Sequence, residues 1–215
     1  SKDQSYVLWG IPMETLSRTI LPLGNLRKRE VRQIAADNKF ENAQAPESME
    51  ICFIPDNNYK RFINEYAKDK VEKISKKGAT LNEDGEKIGE NDGFINYTVG
   101  QRRGIGLTNP EPLYVKEISS DKNSIVVSEK KSLFSKKCKI SNINWLNNKI
   151  KFPLDAFAQI RYNGQISEAK ISDKKGSIFA TFNKPQLAIT PGQSIVFYDK
   201  EEALLGGGII ELHES

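Results

Sequence analysis

The 215-residue sequence predicts an α+β, multidomain chain in three parts: a helical piece over 1–55, a small α+β middle over 56–133, and a six-stranded β-barrel over 134–215. Three observations predict it. Apolar residues recur at three- and four-residue steps between Pro12 and Lys39, which is helical spacing. Short alternating runs broken by Gly, Asn and Asp turns occupy Val71 to Leu133. From Cys138 onward, strand-like runs return at regular intervals between Gly or Asn turns, the pattern of a small closed barrel.

Taken in order, Pro12 to Leu21 reads as a short helix with Met13, Leu16 and Ile20 on one side, stopped by Pro22. Leu26 to Lys39 reads as a better one, with Leu26, Val31, Ile34 and Ala35 opposite a charged face that includes Arg27, Lys28, Arg29 and Arg32. The run Ile51 to Pro55 fits either a strand or a buried loop, and Tyr59 to Tyr66 is helical. In the middle part, Leu113–Ile118 and Ser124–Ser128 form a hairpin. The barrel strands are expected at Lys139–Trp145, Phe157–Tyr162, Ile166–Ser172, Ser177–Phe182, Gln193–Tyr198 and Gly208–Leu212. The abrupt opening, Lys2-Asp3-Gln4 directly before Tyr6-Val7-Leu8-Trp9, reads as the continuation of a longer chain. Those four residues are expected to pack on a preceding part.

Composition narrows the function classes. Hydrophobic residues make up 38% and charged ones 28%, which excludes fibrous and wholly disordered chains. No apolar run approaches the ~20 residues that span a bilayer, so a cytoplasmic location without a membrane partner is expected. Two cysteines far apart, Cys52 and Cys138, form no disulfide framework or C-x-x-C pair, and the single histidine is His213. A protein-built metal site and Cys-His or Ser-His-Asp catalysis are therefore poorly supplied. The formal charge of +4 is mildly basic.

Three segments concentrate functional residue types. Cys52 lies in the apolar run after Glu47-Ser48-Met49-Glu50, where a thiol is either inert and buried or, if accessible and activated, a nucleophile or sulfur carrier. Tyr97-Thr98-Val99-Gly100-Gln101-Arg102-Arg103-Gly104 sets two guanidinium groups between glycines, suited to a polyanion or to a tight turn with exposed arginines. Arg161-Tyr162-Asn163-Gly164 and Thr190-Pro191-Gly192-Gln193 supply a cation, a stacking ring and an amide, as readers of single-stranded RNA do. Lys130, Lys131, Lys136, Lys137 and Lys139 add a basic stretch, within which Cys138 is read as structural.

In this order, Lys2-Asp3-Gln4-Ser5-Tyr6 with Leu8-Trp9-Gly10, the Cys52 segment, Tyr97 to Gly104, and Thr190 to Gln193 followed by Leu205-Gly206-Gly207-Gly208 resemble the tRNA-specific 2-thiouridylase family, called methyltransferases in older usage. The resemblance runs from Lys2 to Ile210. It implies that 1–55 is the end of an α/β ATP-pyrophosphatase domain, 56–133 an adaptor and 134–215 a tRNA-binding barrel. It further implies transfer of sulfur from a persulfide on Cys52 to C2 of a wobble uridine activated by ATP with magnesium. Lys2, Asp3, Gln4, Arg161, Tyr162 and Gln193 are then the tRNA contacts, with Arg102 and Arg103 as further contacts. The partners implied are tRNA and a cysteine desulfurase or sulfur-relay protein.

The family's S-G-G-x-D-S loop and its other catalytic cysteine do not occur in these residues, so no cofactor is expected within them and the chain alone is expected to be inactive. Asn91, Gln159 and Asn163 stand where the family commonly has histidine or basic residues. The competing reading is an RNA-binding module with a structural cysteine, and a blander one is a basic interaction domain.

Overall fold

The computed structural model describes residues 5–45, 54, 56, 58–66, 76–147 and 149–211. The chain divides into two compact units, Ser17–Val71 and a larger one made of Ser1–Leu16 with Glu72–Ser215. The first sixteen residues are thus grouped with the sheet and barrel.

In the smaller unit, α2 spans Lys28–Asp37 and α3 spans Tyr59–Tyr66. The Glu30 carboxylate accepts the Arg27 N–H at 2.6 Å and so closes the first turn of α2. At the other end, the Asn38 side chain donates to the Ile34 carbonyl at 2.8 Å. Asn58 caps α3 by accepting the Arg61 N–H at 3.0 Å. Arg61 pairs with Asp56 and Glu65, and its hydrogen bond to Asp56 holds that carboxyl down at about 2.

In the larger unit, α1 is a single turn, Met13–Leu16, shorter than the helix expected to Leu21. Its sheet contains β1 (Gly78–Leu81), β2 (Lys87–Asn91), β3 (Leu113–Ser119) and β4 (Ser124–Glu129) in the order β2-β1-β4-β3. β1 and β4 run parallel, and the other two pairs are antiparallel. Val115, Ile125 and Val127 form its buried face with Tyr97 and Ile105. The expected hairpin is β3–β4. The hairpin β1–β2 departs from expectation, because Gly78 and Gly89 and the charges of β2 hide the strand pattern. Its turn is built by Asn82, whose side-chain oxygen accepts the N–H groups of Asp84 and Glu86 at 3.1 and 2.8 Å.

The barrel is closed and six-stranded, in the order β10-β5-β8-β7-β6-β9, as the spacing predicts. Its strands are β5 (Phe134–Trp145), β6 (Leu154–Gln159), β7 (Ser167–Lys174), β8 (Ser177–Leu187), β9 (Ser194–Tyr198) and β10 (Leu204–Glu211). Alanines at 156, 158, 169 and 180 leave room inside for Phe182 and Phe197.

Strand limits differ from expectation in several places: β5 begins five residues early at Phe134, and β7 runs two residues further, to Lys174. β6 begins and ends three residues early, because Ala156 and Ala158 set the inward alternation and the chain turns at Arg161, where the Gly164 N–H donates to the Arg161 carbonyl at 2.9 Å. β8 runs past Lys184-Pro185, since the β5–β8 register slips between Ser135 and Lys137 and proline is tolerated at such an irregularity. β10 contains the three glycines instead of starting after two of them.

Candidate nucleic-acid interface

Three turns meet at one rim of the barrel. The first follows β6, where Ile160 to Gly164 leaves the strand. There Arg161 is half-buried, and one guanidinium nitrogen donates to the carbonyls of Leu187 and Ala188 at 2.9 and 2.6 Å. Tyr162 is 39% exposed, and its ring meets that of Tyr6 in an edge-on contact with centroids 6.0 Å apart.

The second is Ala188 to Gln193. Thr190 Oγ1 donates to the Ala188 carbonyl at 2.9 Å, and the Gly192 N–H donates to the Ile210 carbonyl at 2.8 Å. Ile210 in turn donates its N–H to the Gln193 carbonyl at 2.9 Å, so the turn is stitched to β10. Gln193 Oε1 is buried with no hydrogen-bond partner among the described residues. Such an acceptor is costly to leave unmet and suits an incoming N–H donor.

The third is the 3-10 segment Ser5–Gly10. Tyr6 donates its hydroxyl to the Ser194 carbonyl at 2.8 Å, and burial followed by the nearby Tyr198 pushes its phenol pKa up, keeping it a neutral donor. Ser5 donates to the Tyr198 hydroxyl at 3.2 Å. Asn144 donates to the carbonyls of Trp9 and Ile11 at 2.6 and 3.0 Å. Contrary to expectation, Tyr6 and Trp9 pack on the barrel.

The glycine-flanked loop approaches the same rim at one point. The Gly100 N–H donates to the Val115 carbonyl at 2.7 Å, and a β-carbon at Gly100 would lie 3.2 Å from that of Ala188. Gln101 braces the loop, accepting the Thr98 N–H at 3.0 Å and donating to the Arg103 carbonyl at 2.8 Å. Arg102 and Arg103 are exposed. Arg102 also lines a separate groove with Gly104, Leu107, Asn109 and Pro112.

Of the predicted site residues, the rim brings together Arg161, Tyr162 and Gln193. Lys2, Asp3, Gln4 and Cys52 lie outside the described residues. Sequence reasoning missed Tyr6 and Tyr198 as rim residues, and it treated Gln159 only as a substitution. Gln159 is buried and donates to the carbonyls of Tyr162 and Gly164 at 2.9 and 3.1 Å. Asn91 is buried too, donating to the Ala79 carbonyl and accepting the Gly93 N–H, which is a scaffold role.

The basic stretch is partly neutralised. Lys131 pairs with Glu129 and Lys139 with Glu211, both at 2.8 Å, while Lys137 lies 4.4 Å from the centre of the Phe179 ring. Between these lysines, the Cys138 thiol is buried, and desolvation pushes its pKa up to about 12. The unfolded thiol ionises near 9, so its stabilising contribution is present below that pH and is lost as pH rises toward 12. Iodoacetamide at pH 8 is therefore expected to leave Cys138 unmodified in the folded chain and to label it in denaturant, as read by peptide mass spectrometry. Labelling at equal rates in both states would contradict the burial. Among the described residues, no three His, Cys, Asp or Glu side chains gather as a metal site, and no helix is long and apolar enough to cross a membrane.

Three family models match in succession. They are a tRNA methyl transferase HUP domain over residues 1–56, a tRNA methyl transferase PRC-barrel domain over 60–129, and an aminomethyltransferase beta-barrel domain over 135–210. Relatives include the tRNA-specific 2-thiouridylase MnmA of Halothermothrix orenii, 42% identical over 98% of this chain and 58% of the relative. The tRNA-specific 2-thiouridylase MnmA 2 of Thermoanaerobacter sp. is 42% identical over 98% and 57%, and the MnmA of Carboxydothermus hydrogenoformans is 41% identical over the same shares. The chain thus spans a little under three fifths of the length of these relatives.

Proposed function

Because the chain belongs to the tRNA-specific 2-thiouridylase family, we propose that it is the sulfur-carrying and tRNA-gripping part of such an enzyme, working in the cytoplasm. The observation that carries the tRNA grip is the convergence of Tyr6, Tyr162 and Gln193, far apart in sequence, on one barrel rim. An exposed aromatic ring, an amide oxygen without a partner among the described residues and a guanidinium group are the types that stack, read an N–H edge and neutralise phosphate. Lys2, Asp3 and Gln4, which directly precede Ser5 in the sequence, are assigned as further tRNA contacts. Arg102 and Arg103 extend the grip along the adaptor.

The chemistry assigned to this chain is carried by Cys52. A cysteine desulfurase or relay protein delivers sulfur to it as Cys52–S–SH. The terminal sulfur attacks C2 of the wobble uridine, and the activated oxygen departs as AMP. A second thiol then attacks Cys52 Sγ and forms a disulfide with it, breaking the S–S bond and leaving the transferred sulfur on the base. The sequence contains no S-G-G-x-D-S loop, so ATP activation and the second thiol are assigned to residues beyond these 215. The chain alone is then inactive in thiolation.

The tRNA grip is tested by fluorescence anisotropy with a labelled tRNA transcript bearing a wobble uridine, at graded salt. Tyr162→Ala is expected to weaken binding about tenfold with unchanged Tm, since base–aromatic stacking is worth ~1–3 kcal/mol and 1.4 kcal/mol is tenfold. Arg161→Ala is expected to lower the salt slope by about one. Binding by Tyr162→Ala as tight as that of the unmodified chain would remove the rim from the site.

A further inference from the structure

Resting on the rim as the tRNA-binding surface, we propose that Gln159 is a positioning residue that locks two arms of that surface into one geometry before RNA arrives. The arms are the turn after β6, which carries Arg161 and Tyr162, and the segment Ser5–Gly10, which follows Lys2-Asp3-Gln4. They are joined by four hydrogen bonds that all run one way. Ser5 Oγ donates to the Tyr198 hydroxyl at 3.2 Å, and Tyr198 donates to Gln159 Oε1 at 3.3 Å. Gln159 Nε2 then donates to the carbonyls of Tyr162 and Gly164 at 2.9 and 3.1 Å.

The amide orientation is fixed by its surroundings. Two carbonyl oxygens on one side demand the NH2 group there, so the oxygen must face the phenol. Tyr198 and Gln159 are 2% and 8% exposed, which shields these bonds from water and makes a lost partner costly. Only an amide of this length supplies two donors to the turn and one acceptor to Tyr198. A lysine or arginine here has donors but no acceptor for the phenolic proton, and a glutamate has acceptors but would face two carbonyls with a negative charge.

What the relay provides is preorganisation. With the turn held from inside the barrel, Tyr162 sits in edge contact with Tyr6 and remains partly exposed. RNA then binds without first ordering two flexible arms, so release of the relay should appear mainly as faster dissociation.

The test compares tRNA-transcript binding by the full chain with that of Gln159→Leu, Gln159→Glu, Tyr198→Phe and Tyr162→Ala. Backbone hydrogen exchange is followed without RNA, and near-UV circular dichroism checks the fold. Gln159→Leu, which loses all three hydrogen bonds, and Gln159→Glu, which loses the two donated to the turn, are expected to weaken binding about tenfold, with faster exchange at Gly164. Tyr198→Phe, which keeps ring packing, is expected to weaken binding about threefold to fivefold with faster exchange over Tyr6–Leu8, and to add little when combined with Gln159→Leu. If a Gln159 variant fails to fold, Tyr198→Phe alone decides. If Tyr162→Ala weakens binding while the folded relay variants bind as the unmodified chain does, the positioning role is overturned and the rim stands. If Tyr162→Ala also binds normally, the rim itself is wrong and the positioning role falls with it.

Discussion

Cys52→Ser is expected to abolish persulfide formation when the chain is incubated with a cysteine desulfurase, cysteine and pyridoxal phosphate, whereas Cys138→Ser leaves it intact. The observable is one added sulfur by intact-mass spectrometry. Sulfur transfer needs a thiolate, or a thiol that becomes one on demand, and a serine hydroxyl cannot accept the sulfane sulfur. Cys138 is poorly suited on both counts, because it lies inside the barrel wall with its pKa raised to about 12 by burial. With only two cysteines in the chain, the loss should be complete for Cys52→Ser and negligible for Cys138→Ser. An adduct that follows Cys138, or that survives Cys52→Ser, would sink the sulfur-carrier assignment and leave the RNA-binding reading standing alone. An adduct that never forms on the folded chain would move the test to the longer family enzyme, where a second negative result would overturn the assignment just as fully.

The barrel was legible because its strands recur with turn residues between them, and six strands is what that spacing predicts. Their ends were not, and in each case a nonlocal contact decides them. Pro185 signals a strand end, yet β8 continues because β5 slips register beside it. Arg161 and Tyr162 carry strand-forming side chains, yet the turn held by Gln159 takes them out of β6. For the site, the residue types that stack and bind phosphate were visible at Arg161, Tyr162 and Gln193. Their meeting at one rim was not, since it depends on bonds such as Tyr6 to Ser194 that link opposite ends of the chain. Gln159 and Tyr198 escaped notice for a related reason. A glutamine and a tyrosine at strand ends look like surface residues until burial and directed hydrogen bonds give them a task.

Gly206→Ala and Gly207→Ala are both expected to destabilise the barrel, and to differ in what they break. Gly206 has φ +146°, which L side chains rarely adopt, and a β-carbon there would stand 2.3 Å from the Asn144 carbonyl oxygen in the paired strand β5. The nearest obstacles are backbone, so relief requires parting β10 from β5, and a cost of about 3 kcal/mol or more is expected from strain plus overpacking. That is a drop in Tm of roughly 6–12 °C for a domain of this size. At Gly207 the backbone conformation is ordinary, but a β-carbon would lie 2.7 Å from the Ile195 carbonyl and 2.8 Å from Trp9 Cγ. The Trp9 ring can yield where backbone cannot, so part of the strain should be released by lifting Ser5–Gly10 off the barrel. Gly207→Ala is therefore expected to cost about 2 kcal/mol and, unlike Gly206→Ala, to change Trp9 fluorescence and weaken tRNA binding at temperatures where the barrel is still folded. Equal Tm losses with no change at Trp9 would mean that Gly207 serves only the β9–β10 pairing and that the tryptophan seat is not what its missing side chain provides.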